Sequence, residues 1–305
     1  MSCPGSKVLE AAARGTVGEE AQEAFRYCSN WGRWGDRDEI GTLNLVTEAK
    51  RREAASSVRS GRAYPLGKEV VLGGEAGSQP GVFHRMTLGD GPAPSSQDIV
   101  AFGAHGYRVT HLDALGHGYL DGMAYNGRRE EAVVSVGGLL SCSVGAVAAG
   151  VFTRGVLLDV AESMGVRALP EGFAIGAEHL ERAEAAGGAE VGRGDAVLVR
   201  SGVESRGEQG QPGLGIGAVR WLKERDVALY GGDCIEYVPS GVPGLPMPLH
   251  QLGLVAMGLC LVDVVDVEVL RSACDEEGRR DFLLVVAPLR LRGGTGSPVN
   301  PLAVF

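Results

Sequence analysis

Apolar residues in the second half of the chain fall into short continuous runs, and these alternate with stretches whose apolar positions recur every three or four residues. The runs at 155–160, 195–200, 227–230 and 282–287 read as strands, because a strand covered on both faces shows little polar alternation. The stretches at 176–186, 216–225, about 250–257 and 267–277 read as helices. In the first of them Leu180 and Ala183 share a face, and Gly187 and Gly188 supply the left-handed ending that helices favour. Asp266 stands where an N-cap is needed for the last. Strands alternating with helices predict an α/β protein around a largely buried central sheet.

The first half is less regular. Residues 9–25 carry Ala and Glu at helical spacing and predict a short helix or an arm. The segment 30–36, rich in Gly and containing Trp31 and Trp34, predicts ordered irregular structure. Residues 47–60 read as a helix capped by Thr47. The stretch 73–96 is dense in Gly, Pro and Ser and reads as loops around a strand near 82–86. This extra strand and loop content predicts a mixed sheet, with residues 1–30 as an N-terminal arm or helix and 31–305 as one domain.

Length changes that picture little, since 305 residues bury a sizeable core. The formal net charge of -9 argues against a nucleic-acid partner, which needs a basic face to release phosphate counterions. No apolar run is long enough to span a bilayer, and the N-terminus lacks a charged-then-apolar leader, so the expectation is a cytoplasmic protein with no membrane partner. The six cysteines are dispersed without a Cys-x-x-Cys pair, which speaks against a zinc ribbon and suits a reducing compartment.

The chemistry concentrates in 105–117. Three of the six histidines, His105, His111 and His117, fall there with Asp113 among them. If 105–113 is one extended strand, His105, Tyr107, Val109, His111 and Asp113 share a face, and Gly116 lets His117 fold back. Imidazoles with a carboxylate suit zinc, manganese or iron. An ion so held brings the pKa of water to about 7, and a neighbouring histidine moves protons. The plainer reading is a structural His111–Asp113 pair at a strand end.

At these residues the chain resembles the cyclase-family metal hydrolases that include bacterial kynurenine formamidase and isatin hydrolase. Their motif is His-x-Gly-Thr-His-x-Asp-x-Pro-x-His, and Thr110, His111, Asp113 and His117 match it in register. The similarity extends over 31–35, 41–44, 155–159, 194–195, 248–250, 287–290 and 294–301. It implies a swivelling β/β/α fold with a mixed central sheet, a homodimer or dimer of dimers with sites near the subunit interface, and one or two divalent metals, Zn or Mn. By the same resemblance His111 and Asp113 are metal ligands, His117 is the proton-transfer histidine and is counted with the metal residues, and His250 binds a second metal, with Asp263 the nearest candidate by position for its acidic companion. The motif's first histidine, a ligand, is Tyr107 here, its Gly is Val109 and its Pro is Leu115. Either a tyrosinate at Tyr107 or His105 fills the gap, or the metal site is weak.

Other residues carry less. Trp31 and Trp34 form a wall against a flat substrate or pack an irregular arm on the core, with Tyr107 and His105 as further substrate-binding candidates. His84 lines a pocket or the surface, and His179 belongs on an exposed helix face. Asp233 and Glu236 follow the strand at 227–230 at its carboxyl end, where α/β proteins place ligands. The run Gly293-Gly294-Thr295-Gly296-Ser297 lacks the following Gly-Lys-Ser/Thr of a phosphate loop and reads as a turn. Three functions remain open: hydrolysis of an amide, lactam or lactone of a small cyclic or aromatic substrate by activated water; a cyclase, dehydratase or isomerase of secondary metabolism on the same scaffold; and a binding protein without catalysis.

Overall fold

The computed structural model describes residues 18–71, 82–89, 93–202, 211–237 and 240–305. The strands used below are β1 (Ala63–Pro65), β2 (Val82–Leu88), β3 (Ser96–Phe102), β4 (His111–Asp113), β5 (Val151–Asp159), β6 (Ala196–Arg200), β7 (Leu229–Gly232), β8 (Cys260–Asp263), β9 (Asp281–Val286), β10 (Gly296–Pro298) and β11 (Leu302–Val304). Nine of them form one sheet in the order β1-β11-β9-β5-β6-β7-β8-β4-β10. The inner strands β5, β6, β7 and β8 run parallel, and the flanking ones are antiparallel to their neighbours. The mixed sheet of an α/β protein is therefore present. Three of the parallel strands, β5, β6 and β7, coincide with the apolar runs at 155–160, 195–200 and 227–230; the run at 282–287 is the antiparallel β9, and parallel β8 was not expected. Every residue of β6 is buried, as a strand covered on both faces requires.

The longer helices are α1 (Glu19–Cys28), α2 (Glu48–Ser56), α3 (Ala177–Gly187), α4 (Ile216–Glu224), a π-helix (Leu249–Met257) and α5 (Val267–Glu277). Thr47 caps α2, its hydroxyl accepting from the Lys50 amide at 3.2 Å. Asp266 caps α5 in the same way, accepting from Val269 at 3.1 Å. Gly188, left-handed at φ 64°, ends α3. One hydrophobic core runs from Ala21 in α1 to Phe305 at the C-terminus, so α1 is packed onto the body; residues 1–17 lie outside the described residues.

Several expectations change. Only His111–Asp113 of the stretch 105–113 pairs as strand, and 104–109 is a series of bends. The same-face argument therefore holds for His111 and Asp113 but not for Tyr107. The strand near 82–86 extends to Leu88 and pairs with β3 in a two-stranded ribbon; much of the loop stretch around it falls outside the described residues. The helix at 250–257 is a π-helix, whose wider turn the 3.6-residue period does not anticipate. His179 is not simply exposed: its Nδ1 accepts from the Gly176 amide at 2.9 Å and its ring meets Phe173, capping α3. No helix among the described residues is long and apolar enough to cross a membrane.

Candidate active site

β4 lies between β8 and β10, and its register decides what faces what. His111 sits opposite Asp263 on one side and Pro298 on the other; Asp113 sits opposite Leu261 and Gly296. His111 and Asp113 point to one face while Leu112 is fully buried on the opposite one. Thr110, just before the strand, serves the backbone: its hydroxyl donates to the Val264 carbonyl at 2.6 Å. Val264 is left-handed at φ 60°, a costly state for a β-branched residue. Thr110 thus clamps the strained turn that follows Asp263.

His117 arrives on the loop after β4, turned by Gly116. A Cβ on Gly116 would lie 2.6 Å from Leu139 Cδ1 and 3.0 Å from the Cys142 carbonyl, so a larger residue would have to push Leu139 aside. His250 enters from the first turn of the π-helix. Glu236, buried behind it, accepts from the His250 amide at 2.9 Å, from His250 Nδ1 at 3.0 Å and from the Leu249 amide at 3.1 Å.

These side chains converge. Asp113 Oδ1 lies 2.8 Å from His105 Nδ1 and 3.5 Å from His111 Nε2, and its Oδ2 lies 3.4 Å from His250 Nε2 and 3.9 Å from His117 Nε2. Asp263 Oδ2 is 3.5 Å from His250 Nε2 and 4.0 Å from His111 Nε2. Two groups, His105 with His111 and Asp113, and Asp113 with His117 and His250, are compact enough to hold a metal ion.

The hydrogen bonds fix which atoms face inward. A carbonyl only accepts, so His111 Nδ1, 2.7 Å from the Val109 oxygen, carries the proton. Its Nε2 then presents a lone pair to the carboxylates. His250 Nδ1 donates to Glu236, and its Nε2 likewise faces Asp113 and Asp263. All four carboxylate oxygens of Asp113 and Asp263 are buried without a hydrogen-bond partner. Lone pairs and unsatisfied carboxylates gathered in the interior cost several kcal/mol unless a cation joins them. Donor atoms on one ion with bonds of roughly 2.0–2.2 Å stand about 3–3.5 Å apart, close to the separations found. The residues fit a divalent metal.

The electrostatics agree. Burial pushes the Asp113 carboxyl up, but His105, His250, His117 and His111 around it outweigh burial and hold it well below the usual carboxylate range. Asp263 is raised, by burial first and with the Asp113 charge adding to it. Burial would strip His250 of its proton, yet the carboxylates of Asp113, Asp263 and Glu236 beside it reverse that and lift it well above the ordinary range: a positive charge is wanted at this point. His117 differs. Burial, with His105, His250 and His111 adding to it, outweighs the pull of Asp113 and lowers its pKa to about 4, so near neutral pH it is an uncharged base at the rim, with its side chain 30% exposed.

Other sequence candidates lie elsewhere. Trp31 is buried in the core, its indole N–H donating to Val255 O at 2.7 Å and its ring edge-on to Phe25; it is packing rather than pocket wall. Trp34 is partly buried beneath the Arg33 guanidinium. Tyr107 is 39% exposed and lies among the bends before β4. His84 pairs with Asp98 across the ribbon at 2.6 Å. Asp233 ties β7 to the end of β6, accepting from the Ser201 amide and hydroxyl at 2.8 Å and from Gly202 at 2.7 Å. Glu236 and Asp263, weaker candidates by sequence, do sit at the site.

Comparison with known proteins follows the same lines. No curated protein matches the chain in sequence. A solved structure described as a novel cyclase superposes with a TM-score of 0.79 at 28% identity, covering 91% of this chain and 99% of its own. Isatin hydrolase A from Labrenzia aggregata gives 0.56 at 20% identity, covering 83% and 97%. Isatin hydrolase A from Ralstonia solanacearum gives 0.54 at 20%, covering 79% and 91%; these two likenesses are of fold. The Cyclase family model matches residues 57–237, more than half of the 305 residues, and contains β4, His117 and Glu236: the chain belongs to the cyclase family.

Proposed function

We propose that the chain is a metal-dependent hydrolase that opens an amide, lactam or lactone in a small cyclic or aromatic substrate. The observation that carries this reading is the cage of His111 Nε2, His250 Nε2, Asp113 and Asp263, whose buried carboxylate oxygens lack any hydrogen-bond donor. A divalent ion there, zinc or manganese by its donor set, supplies polarisation of a carbonyl and acidification of water. The protein's own residues do the rest. His117, uncharged near neutral pH, takes the proton of the attacking water and returns it to the leaving nitrogen or oxygen. Asp113, 3.9 Å from His117 Nε2, compensates the imidazolium formed between these two transfers. Glu236 holds His250 in the tautomer that offers Nε2.

The test is metal content of protein purified without chelator, together with turnover of a panel of cyclic amides, lactones and aryl formamides before and after metal removal. Stoichiometric zinc or manganese and activity restored by adding it back support the reading. Turnover unchanged after complete metal removal refutes it, and leaves acid/base chemistry by His117 and Asp113, as a cyclase, dehydratase or isomerase would use.

A homodimer or dimer of dimers belongs to the same reading. The ribbon β2–β3 exposes Phe83, Met86, Leu88 and Ile99, and a two-stranded ribbon by itself is marginal in water. A monomer by sedimentation at micromolar concentration would refute it. The five cysteines among the described residues are free and buried, which suits a reducing, cytoplasmic setting.

A further inference from the structure

We propose that His105, seated in a socket built by Thr295 and Gly296, takes the place of the motif histidine that Tyr107 has lost, and offers its Nδ1 to the divalent ion. The inference rests on the metal-dependent reading above and assigns a different residue from the one the motif would use.

Four observations converge on it. His105 Nε2 lies 2.8 Å from Thr295 Oγ1, so the hydroxyl engages that nitrogen and leaves Nδ1 to face the carboxylate. Nδ1 stands 2.8 Å from the buried Asp113 Oδ1. Two donor atoms so close fit neighbouring corners of a coordination shell, about 3 Å apart for bonds of roughly 2.1 Å.

The socket is the third observation. Gly296 pairs with Asp113 across β10 and β4. A Cβ on it would lie 2.7 Å from His105 Cε1 and 3.2 Å from Nε2, so the ring occupies the space that any side chain there would fill. The glycine-rich run at 293–297, which the sequence offers as a turn, has a use: one residue anchors the imidazole and the next makes room for it. The ring is held on its other sides too. His117 stacks on it at 3.8 Å with the planes 5° apart, and His111 meets it edge-on at 5.3 Å.

The fourth is the chain path. Gly106 has φ +111° with nothing near its missing Cβ, a conformation that other residues rarely adopt. The turn there sends His105 inward while Tyr107 is left 39% exposed. A shift of two residues along the chain thus restores the ligand count.

The full-length protein, stripped of metal and titrated with Co(II), tests this through affinity and through the visible absorption of the bound cobalt, both independent of turnover. His105→Ala should weaken Co(II) binding at least about 100-fold, more than the 10–100-fold typical of losing an outer partner, and change the absorption intensity. Thr295→Val and Gly296→Ala, which remove no ligand atom, should each weaken binding about tenfold. Tyr107→Phe should stay within about twofold. Circular dichroism checks folding, and if His105→Ala fails to fold, the Thr295 and Gly296 variants decide. Binding by His105→Ala equal to wild type, or wild-type affinity in both socket variants, overturns the assignment while leaving the metal reading intact. Tyr107→Phe weakening binding as much as His105→Ala should also overturns it. A wild-type protein that binds no Co(II) overturns both together.

Discussion

Replacing Gly41 with Ala should cost about 2–5 kcal/mol, and the structure says where the energy goes. Gly41 has φ +54°, and an added Cβ would stand 2.0 Å from the Gly258 carbonyl oxygen. The left-handed backbone alone costs a non-glycine residue about 1–2 kcal/mol. The clash adds the overpacking cost of about 1–3 kcal/mol, because that carbonyl cannot swing away: it accepts from the Thr42 amide at 2.8 Å and the Thr42 hydroxyl at 3.2 Å. Gly258 is no safer a place to yield, since a Cβ there would meet the buried Tyr125 ring at 2.5 Å. Gly165→Ala is the control. Gly165 has φ +74° but nothing within 4 Å, so it isolates the backbone cost at about 1–2 kcal/mol. Guanidinium unfolding of both variants, extrapolated to water, measures the difference. Because Gly258 ends the π-helix that carries His250, Gly41→Ala should also weaken metal binding and Gly165→Ala should not. Equal stability losses in the two variants would refute the close-approach argument.

Other consequences are as direct. His117 must be uncharged to accept a proton, and its pKa is lowered to about 4; kcat/KM should stay level as pH falls through 6.5 and decline only on approaching 4, whereas a decline centred near 6.5 would remove His117 as the base. Glu236→Gln takes away the charge that holds His250 Nδ1–H and should weaken Co(II) binding about 10–100-fold with the circular dichroism spectrum unchanged; wild-type affinity would show that Glu236 only caps backbone amides. Arg200→Met leaves Asp159 buried without its 2.9 Å partner and should lower unfolding stability by about 3–5 kcal/mol, read by denaturant titration; a loss below about 1 kcal/mol would mean that Arg271, 3.7 Å away, takes over.

What could be read in advance depended on how local the cause was. The caps Thr47 and Asp266 act within three residues of themselves, and the buried strands β6 and β9 declare themselves by composition, so both were legible. The cluster of His105, His111, Asp113 and His117 was legible because its members lie within one short stretch. The sequence misled where a side chain's surroundings come from afar. Whether Trp31 is a pocket wall or packing stayed open because its hydrogen-bond acceptor, Val255, is 224 residues away. Tyr107 looked inward because a continuous strand was assumed, and only three residues pair. The socket for His105 is 190 residues from it, and no local period reports such a contact. The π-helix escaped notice because an apolar run that is buried all round has no polar face to set its phase.

β4 is three residues long and shared by two jobs. With alternate side chains on opposite faces, 111 and 113 answer to the reaction while 112 answers to the core. A deletion or insertion of one residue anywhere between the bends and this strand would drive Leu112 into the polar cage and an imidazole and a carboxylate into oil. Chain length within the strand is therefore far less negotiable than in the bends at 104–109 that precede it, where no two-residue alternation ties a side chain to one face.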